Sequence, residues 1–212
     1  MTATTTPKIT AKPIAPMTLE DFWAYDNGTD TCYELENGEL ITMSPESDLN
    51  QRIASFLFAY FLQLGIPYQQ LRPKLEVIVM GARATVRIPD LTVLTDDGLT
   101  ALAGATQATV TMDMPPPRLV VEVVSPGKKN ADRDYRYKRS QYQARGIEHY
   151  WIVDPIAQKV TIFHLVEGLY EETVFKEEDA IASPFLTELG IDTPLTAVQL
   201  LSAGDIDKTP EK

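Results

Sequence analysis

The chain of 212 residues has a single cysteine, Cys32, and only two histidines, His149 and His164. One cysteine excludes an internal disulfide and a cysteine-built zinc site, and it fits a reducing cytoplasm. The histidines are too far apart in sequence for a compact pair, and each reads as an ordinary strand residue. No apolar run approaches the ~20 residues needed to cross a bilayer. The opening MTATTTPKITAKPIAP has no apolar stretch of the kind a signal peptide or anchor carries, so no membrane partner is expected. A Gly-x-Ser-x-Gly elbow is missing, and Ser125 precedes Pro126, which would spoil a nucleophile turn; a serine hydrolase is excluded. No glycine-rich run ends in Gly-Lys-Ser or Gly-Lys-Thr, so there is no phosphate-cradling P-loop. Positive charge is scarce as well: 19 Lys and Arg stand against 30 Asp and Glu, a net charge of −11. As a sum this opposes a nucleic-acid partner, because binding phosphates requires concentrated Lys and Arg.

The distribution of charge qualifies the sum. Lys128, Lys129, Arg133, Arg136, Lys138, Arg139 and Arg145 lie in one stretch with only Asp132 and Asp134. From Val166 onward, eleven acids face three bases. The basic charge is focused in one segment, which by itself is equally consistent with a solvated helix face.

Hydrophobic residues make up 44% and charged residues 23%, a globular composition in a chain long enough to bury a core. Residues 1–17, rich in Thr, Pro and Ala, read as a flexible lead-in, residues 18–202 as a single α/β domain, and 203–212 as a flexible tail. Thr18 and Asp21 can cap a short helix ending near Trp23. Tyr33 to Met43 alternates around Asn37-Gly38, the signature of a two-residue hairpin turn. Ser47 or Asp48 can cap a helix whose apolar residues, Ile53, Phe56, Leu57, Tyr60, Phe61 and Leu64, fall three and four apart until Gly65 stops it. Leu75–Met80 and Ala84–Leu94 read as strands joined at Gly81. Thr95–Pro117 reads as a connection with one added strand at Ala108–Met112. Pro117–Pro126 is a doubly buried strand, followed by a helix from Asn130 or Asp132 to about Ala144 and a core strand at Ile147–Val153. That order of strand, helix and strand predicts a parallel pair. A second hairpin is expected across Glu167-Gly168, between Lys159–Leu165 and Tyr170–Phe175.

Two of these strands carry an isolated acid. Glu122 interrupts Leu119-Val120-Val121 and Val123-Val124, and Asp90 follows Ile88-Pro89. A lone carboxylate in such a strand is costly to bury unless something positive meets it. Two of them on neighbouring core strands suggest a shared cation. Carboxylate and carbonyl oxygens suit a hard dication, so Asp90, Glu122 and the Val123 backbone carbonyl are candidate ligands for Mg²⁺, with Mn²⁺ as a substitute. Helical spacing puts Tyr135, Lys138 and Tyr142 on one face, with Lys138 pointing inward, its stem along the tyrosines and its ammonium reaching the acids. A purely structural Lys138–Glu122 ion pair is the competing reading. Arg133, Arg136 and Arg139 run round the rim as candidate phosphate contacts, and Lys128 and Lys129 lie in the preceding loop.

These residues in this order resemble the PD-(D/E)XK nuclease superfamily, and more narrowly the Uma-two family of restriction endonucleases. The matching pieces are Tyr33-Glu34-Leu35 with Asn37-Gly38-Glu39-Leu40, Ile88-Pro89-Asp90, and Val121-Glu122-Val123-Val124-Ser125-Pro126. Asp132, Lys138 and Tyr142 follow, and then Tyr150-Trp151-Ile152-Val153-Asp154-Pro155. The resemblance spans roughly Leu19 to Tyr170. It implies a restriction-endonuclease-like fold, a central mixed β-sheet flanked by helices with additional β-hairpins. It also implies a Mg²⁺-dependent endonuclease acting on DNA, with Asp90, Glu122 and Lys138 as its catalytic residues. The superfamily's lysine would fall at Val124, so the resemblance implies that Lys138 has taken its place from the following helix. Asn50 stands where the family often has a histidine. A further acid is expected near the first helix, for which Glu34 or Glu39 is the candidate. Cutting both strands of a duplex calls for two sites and hence a homodimer. A catalytically silent binding module on the same scaffold is the alternative.

Overall fold

The computed structural model describes residues 15–29, 31–43, 45–190 and 195–202. Most of the expected lead-in, the expected tail, and the side chains of Lys128 and Lys129 lie outside the described residues. In chain order the first half contains α1 (Leu19–Trp23), β1 (Tyr33–Glu36), β2 (Glu39–Thr42), α2 (Asp48–Gln63), β3 (Leu71–Arg72), β4 (Glu76–Ile78), β5 (Val86–Arg87) and β6 (Leu91–Val93). The middle holds α3 (Asp96–Leu102), β7 (Thr109–Val110), β8 (Leu119–Val123) and α4 (Lys128–Asp132). A π-helical segment, Arg133–Lys138, then leads into α5 (Arg139–Arg145). After it come β9 (His149–Asp154), β10 (Lys159–Val166), β11 (Leu169–Phe175), α6 (Pro184–Glu188) and α7 (Ala197–Leu201).

The strands form two sheets. One is mixed, in the order β11-β10-β9-β8-β6-β3, and the other runs β2-β1-β5-β4-β7. β8 and β9 are parallel, with Val121 opposite Trp151, as a crossover through the basic helix requires. Both strands are buried along their whole length because both faces of the mixed sheet are covered. Side chains alternate along β8. Leu119, Val121 and Val123 join the core made with α2, Trp151, Phe185 and α7, while Val120 and Val124 join the core made with Tyr142, Tyr150 and Val77. Glu122 therefore shares the second face, toward α5 and the smaller sheet.

Both expected hairpins form, with positive φ at Asn37 and Gly38 and again at Glu167 and Gly168. Ser47 caps α2 through the Asn50 N–H. Three expectations differ from the structure. Ala84–Leu94 is not one strand. Pro89 has no N–H to continue a ladder, so β5 ends in the smaller sheet and β6 begins in the mixed one. Thr95–Pro117 contains a helix, α3, capped by Thr95, as well as the expected short strand. The basic helix is interrupted by a π segment, so the inward positions are Asp134, Lys138, Tyr142 and Arg145, and Tyr135 is only half-buried.

Candidate active site

The break at Pro89 positions Asp90. β6 and β8 are antiparallel with Leu91 opposite Val121, and continuing that register sets Asp90 opposite Glu122. Facing residues in an antiparallel pair point to the same side. One Asp90 carboxylate oxygen accepts the Val123 N–H at 2.5 Å, and the other takes the Lys74 ammonium at 2.5 Å. Lys74 also pairs with Glu46, in the loop before α2. Glu122, 4% exposed, accepts the Tyr142 hydroxyl at 2.7 Å on one oxygen and lies 2.9 Å from Lys138 Nζ on the other.

Lys138 reaches the sheet from the end of the π segment. Besides Glu122 it meets Glu34 at 3.3 Å and Asp134, one helical turn back, at 3.5 Å. One buried ammonium is thus divided among three buried carboxylates, and their protonation differs accordingly. Burial raises the Glu122 pKa, and the nearby Asp134, Asp90 and Glu34 charges add to it. Lys138 opposes them only partly, leaving the group at about 8. Asp134 is also raised, first by burial. Burial pushes Glu34 the same way, but Lys138, Arg87 and the Ile88 N–H overcome it and bring Glu34 down to about 2. Burial works against the charge of Lys138, yet the three acids hold its pKa above the usual lysine value.

Glu34 comes from the hairpin strand β1 and is 1% exposed. The smaller sheet folds it inward against Arg87, which donates to Glu34 and Glu36 at 3.0 Å each, while the Ile88 N–H takes the remaining Glu34 oxygen at 3.1 Å. Its oxygens are saturated by the scaffold. Glu39 is exposed on β2. Asn50 is buried and directs its amide toward the carbonyls of Val123 and Val124 at 3.4 and 3.3 Å, fixing the end of β8. The Val123 carbonyl named as a metal ligand therefore already accepts one contact. Arg133 lines the rim of the cleft and Arg136 is exposed. Arg139 differs from the rim role expected for it. It lies over the Phe163 ring and 3.3 Å from Glu172, directed at the β10–β11 hairpin.

Glu46, Lys74 and Asp134 line the same cleft and went unmarked in the sequence. Glu46 and Lys74 sit in loops with no periodicity to flag them, and Asp134 was passed over although its spacing to Lys138 puts both on one helix face. The histidines need a correction too. His149 and His164 are register partners across β9 and β10, with their Nδ1 atoms 3.3 Å apart, because a hairpin sets residues distant in sequence face to face.

The cleft offers about 90 Å³, enough for an ion with a few waters. Five carboxylates (Glu34, Glu46, Asp90, Glu122 and Asp134) line it against three cations (Lys74, Arg133 and Lys138). The excess of negative charge and the oxygen-only donors fit a divalent cation, whose charge would favour the ionised form of Glu122.

The elements around this cleft define an α/β protein with the restriction-endonuclease-like fold, mixed sheets flanked by helices. Its architecture matches the crystal structure of "a putative nuclease belonging to DUF820" from Anabaena variabilis ATCC 29413. The TM-score is 0.63 at 18% identity, over 89% of this chain and 99% of that one. The chain belongs to the Uma2 family, described as "Putative restriction endonuclease", whose model matches residues 19–196. No curated protein matches the chain. No helix among the described residues is long and apolar enough to cross a membrane.

Proposed function

We propose that this protein is a Mg²⁺-dependent endonuclease that hydrolyses DNA phosphodiester bonds in the cleft between Asp90, Glu122 and Lys138. The observation that carries the reading is the convergence on one small, net-negative cleft of Glu122 on β8, Asp90 in the bend before β6 and a buried helix-borne lysine. Asp90 and Glu122, with the Val123 carbonyl, would hold the ion. When bound, it supplies positive charge against the scissile phosphate and acidifies a water.

The protein's own groups do the remainder. Lys138 orients the attacking water and offsets negative charge developing on the phosphate oxygens. Tyr142 fixes the Glu122 carboxyl by its hydrogen bond, and Asn50 fixes the strand end behind it. Arg133 contacts a neighbouring phosphate at the rim. An adjoining groove lined by Trp23, Tyr25 and Tyr33 shares Lys74 and Ile88 with the cleft and offers aromatic surface to unstacked bases. A symmetric dimer would present two such clefts to the two strands of a duplex.

One observation favours the silent binding module instead. The Lys74 ammonium already bridges Asp90 and Glu46, where a metal would bring its charge. Lys74 is 39% exposed and on a flexible stem, so on the nuclease reading it swings aside. Cleavage of labelled single-stranded and duplex DNA with Mg²⁺ separates the two. Asp90→Ala and Glu122→Ala are each expected to lower the rate at least about a hundredfold while circular dichroism stays that of a folded chain. Wild-type rates in either variant would remove the proposed site.

A further inference from the structure

The mixed sheet carries a second constellation at the other end of β8 and on its other face. His149 opens β9 opposite Leu119, three residues before Glu122, so the two groups are separated by about 10 Å along the strands and by the thickness of the sheet. His149 shares the face of Trp151 and packs its ring against Phe185 at 5.5 Å between centroids. His164 lies directly across on β10, its ring 4.9 Å away and nearly parallel. One ligand atom from each of Glu148, His149 and His164 lies within 4.8 Å of the others. Glu188, at the end of α6, brings an oxygen to 3.9 Å from His149 Nε2, and Glu148 brings one to 3.7 Å.

We propose that Glu148, His149 and His164, with Glu188 as fourth ligand, form a structural site for a transition-metal dication of the Zn²⁺ class. The independent observation is His149 itself: it is fully buried, and its Nε2 has no hydrogen-bond partner among the described residues. A buried ring nitrogen without a partner carries a desolvation cost that a metal bond would remove. Two imidazoles with two carboxylates suit Zn²⁺ and its neighbours, whereas Mg²⁺ takes oxygen ligands almost exclusively. Ligand bonds of about 2.0–2.1 Å in a tetrahedron set ligand atoms about 3.3 Å apart. Nε2 is the ligating nitrogen of His149, since it faces the two carboxylates, while its Nδ1 keeps the 3.3 Å contact with His164. The carboxylates must close by about half an ångström, which suits the half-exposed side chains of Glu148 and Glu188. Arg118, paired with the second oxygen of Glu188, is the one nearby cation that opposes metal charge. A bound ion would tie the β9–β10 hairpin to α6, elements otherwise joined by apolar packing.

The test uses the full chain stripped with EDTA, titrated with Zn²⁺ and separately with Mg²⁺ by calorimetry and thermal unfolding. Wild type is expected to bind Zn²⁺ and to gain about 5 °C in Tm at a hundredfold excess over Kd. Asp90→Ala, which disables the acidic cleft, is expected to keep that gain. His164→Ala and Glu148→Gln are expected to bind at least tenfold more weakly, with Mg²⁺ producing no shift that depends on either residue. Glu148 is surface-exposed, so Glu148→Gln decides the matter if His164→Ala fails to fold. Absence of Zn²⁺ binding in wild type, equal binding in Glu148→Gln, or loss of binding in Asp90→Ala alone overturns the site. The last outcome would assign the ion to the cleft and leave the nuclease reading intact.

Discussion

Glu34 and Glu122 are both buried beside Lys138, yet they are held in opposite protonation states, and their partners explain why. Glu34 is saturated by Arg87, Lys138 and a backbone N–H, whereas Glu122 has a shared ammonium, a tyrosine hydroxyl and three negative neighbours. Glu34→Gln leaves the fully buried Arg87 with Glu36 as its remaining acidic partner. It is expected to cost on the order of 3 kcal/mol in urea unfolding; a change within 0.5 kcal/mol, roughly that of an ordinary surface substitution, would show that Arg87 does not depend on it. Glu122 makes an opposite, pH-dependent contribution. Its folded pKa is raised from 4.5 to about 8. Between those values the unfolded chain loses the proton that the folded chain keeps, so stability is full below about pH 4.5 and declines toward pH 8. Glu34, lowered to about 2, adds stability above pH 4.5 that is lost as pH falls toward 2. Thermal unfolding of metal-free protein should therefore show a loss between pH 6.5 and 8, above the range where the lowered His149 pKa works the other way, that is absent in Glu122→Gln and reversed by Mn²⁺. An identical slope in the variant would assign the loss to other groups.

At the scale of elements, the π segment decides which residues of the basic helix face the acids. A π turn accommodates one residue more than an α turn, which moves Tyr135 off the inward face that Asp134, Lys138 and Tyr142 share. Deleting the exposed Tyr137 should restore α-helical register and shift Asp134 and Arg133 round the helix relative to Lys138. Helical content by circular dichroism should be kept while Mg²⁺-dependent cleavage falls at least about a hundredfold, with Tyr137→Ala as the unaffected control. Cleavage surviving the deletion would mean that the bulge is incidental. The same segment shows what could be read beforehand. Glu122, Asp90 and Lys138 were legible because a charge inside an apolar run, and a lysine flanked by tyrosines at helical spacing, conflict with their local patterns. The hairpins were legible from their turn residues, and α2 from its stripe. Asp134 was passed over, although four residues before Lys138 is a spacing that shares a helix face. The switch of sheets at Pro89 was not legible, since strands of two and three residues carry no periodicity. The His149–His164 pair depends on β9 pairing with β10, a pairing not read from the sequence, and the two residues were judged by their distance along the chain.

For the whole molecule, the difficulty for a DNA enzyme is its net charge of −11, and the fold sharpens it. Of the seven bases in the segment from Lys128 to Arg145, three are directed at the protein itself. Lys138 serves the acids, Arg139 the Phe163 ring and Glu172, and Arg145 the carbonyls of Thr111 and Met114. Among the described side chains of that segment, Arg133 and Arg136 are left for phosphates. Two phosphate contacts imply a slope of about −1.8 in log K against log salt. DNA affinity should then fall only about tenfold between 50 and 200 mM salt, against the roughly 10³–10⁵-fold of a protein with six to ten contacts. Affinity on this reading comes chiefly from the cleft and the aromatic groove beside it, so it should respond more to Asp90→Ala and Tyr33→Ala than to Arg136→Ala. Fluorescence anisotropy with Ca²⁺ in place of Mg²⁺ measures all of these. A salt loss beyond a thousandfold would require more phosphate contacts than the described side chains of this face offer, and Lys128, Lys129 and a second copy of the chain would be the first places to look for them.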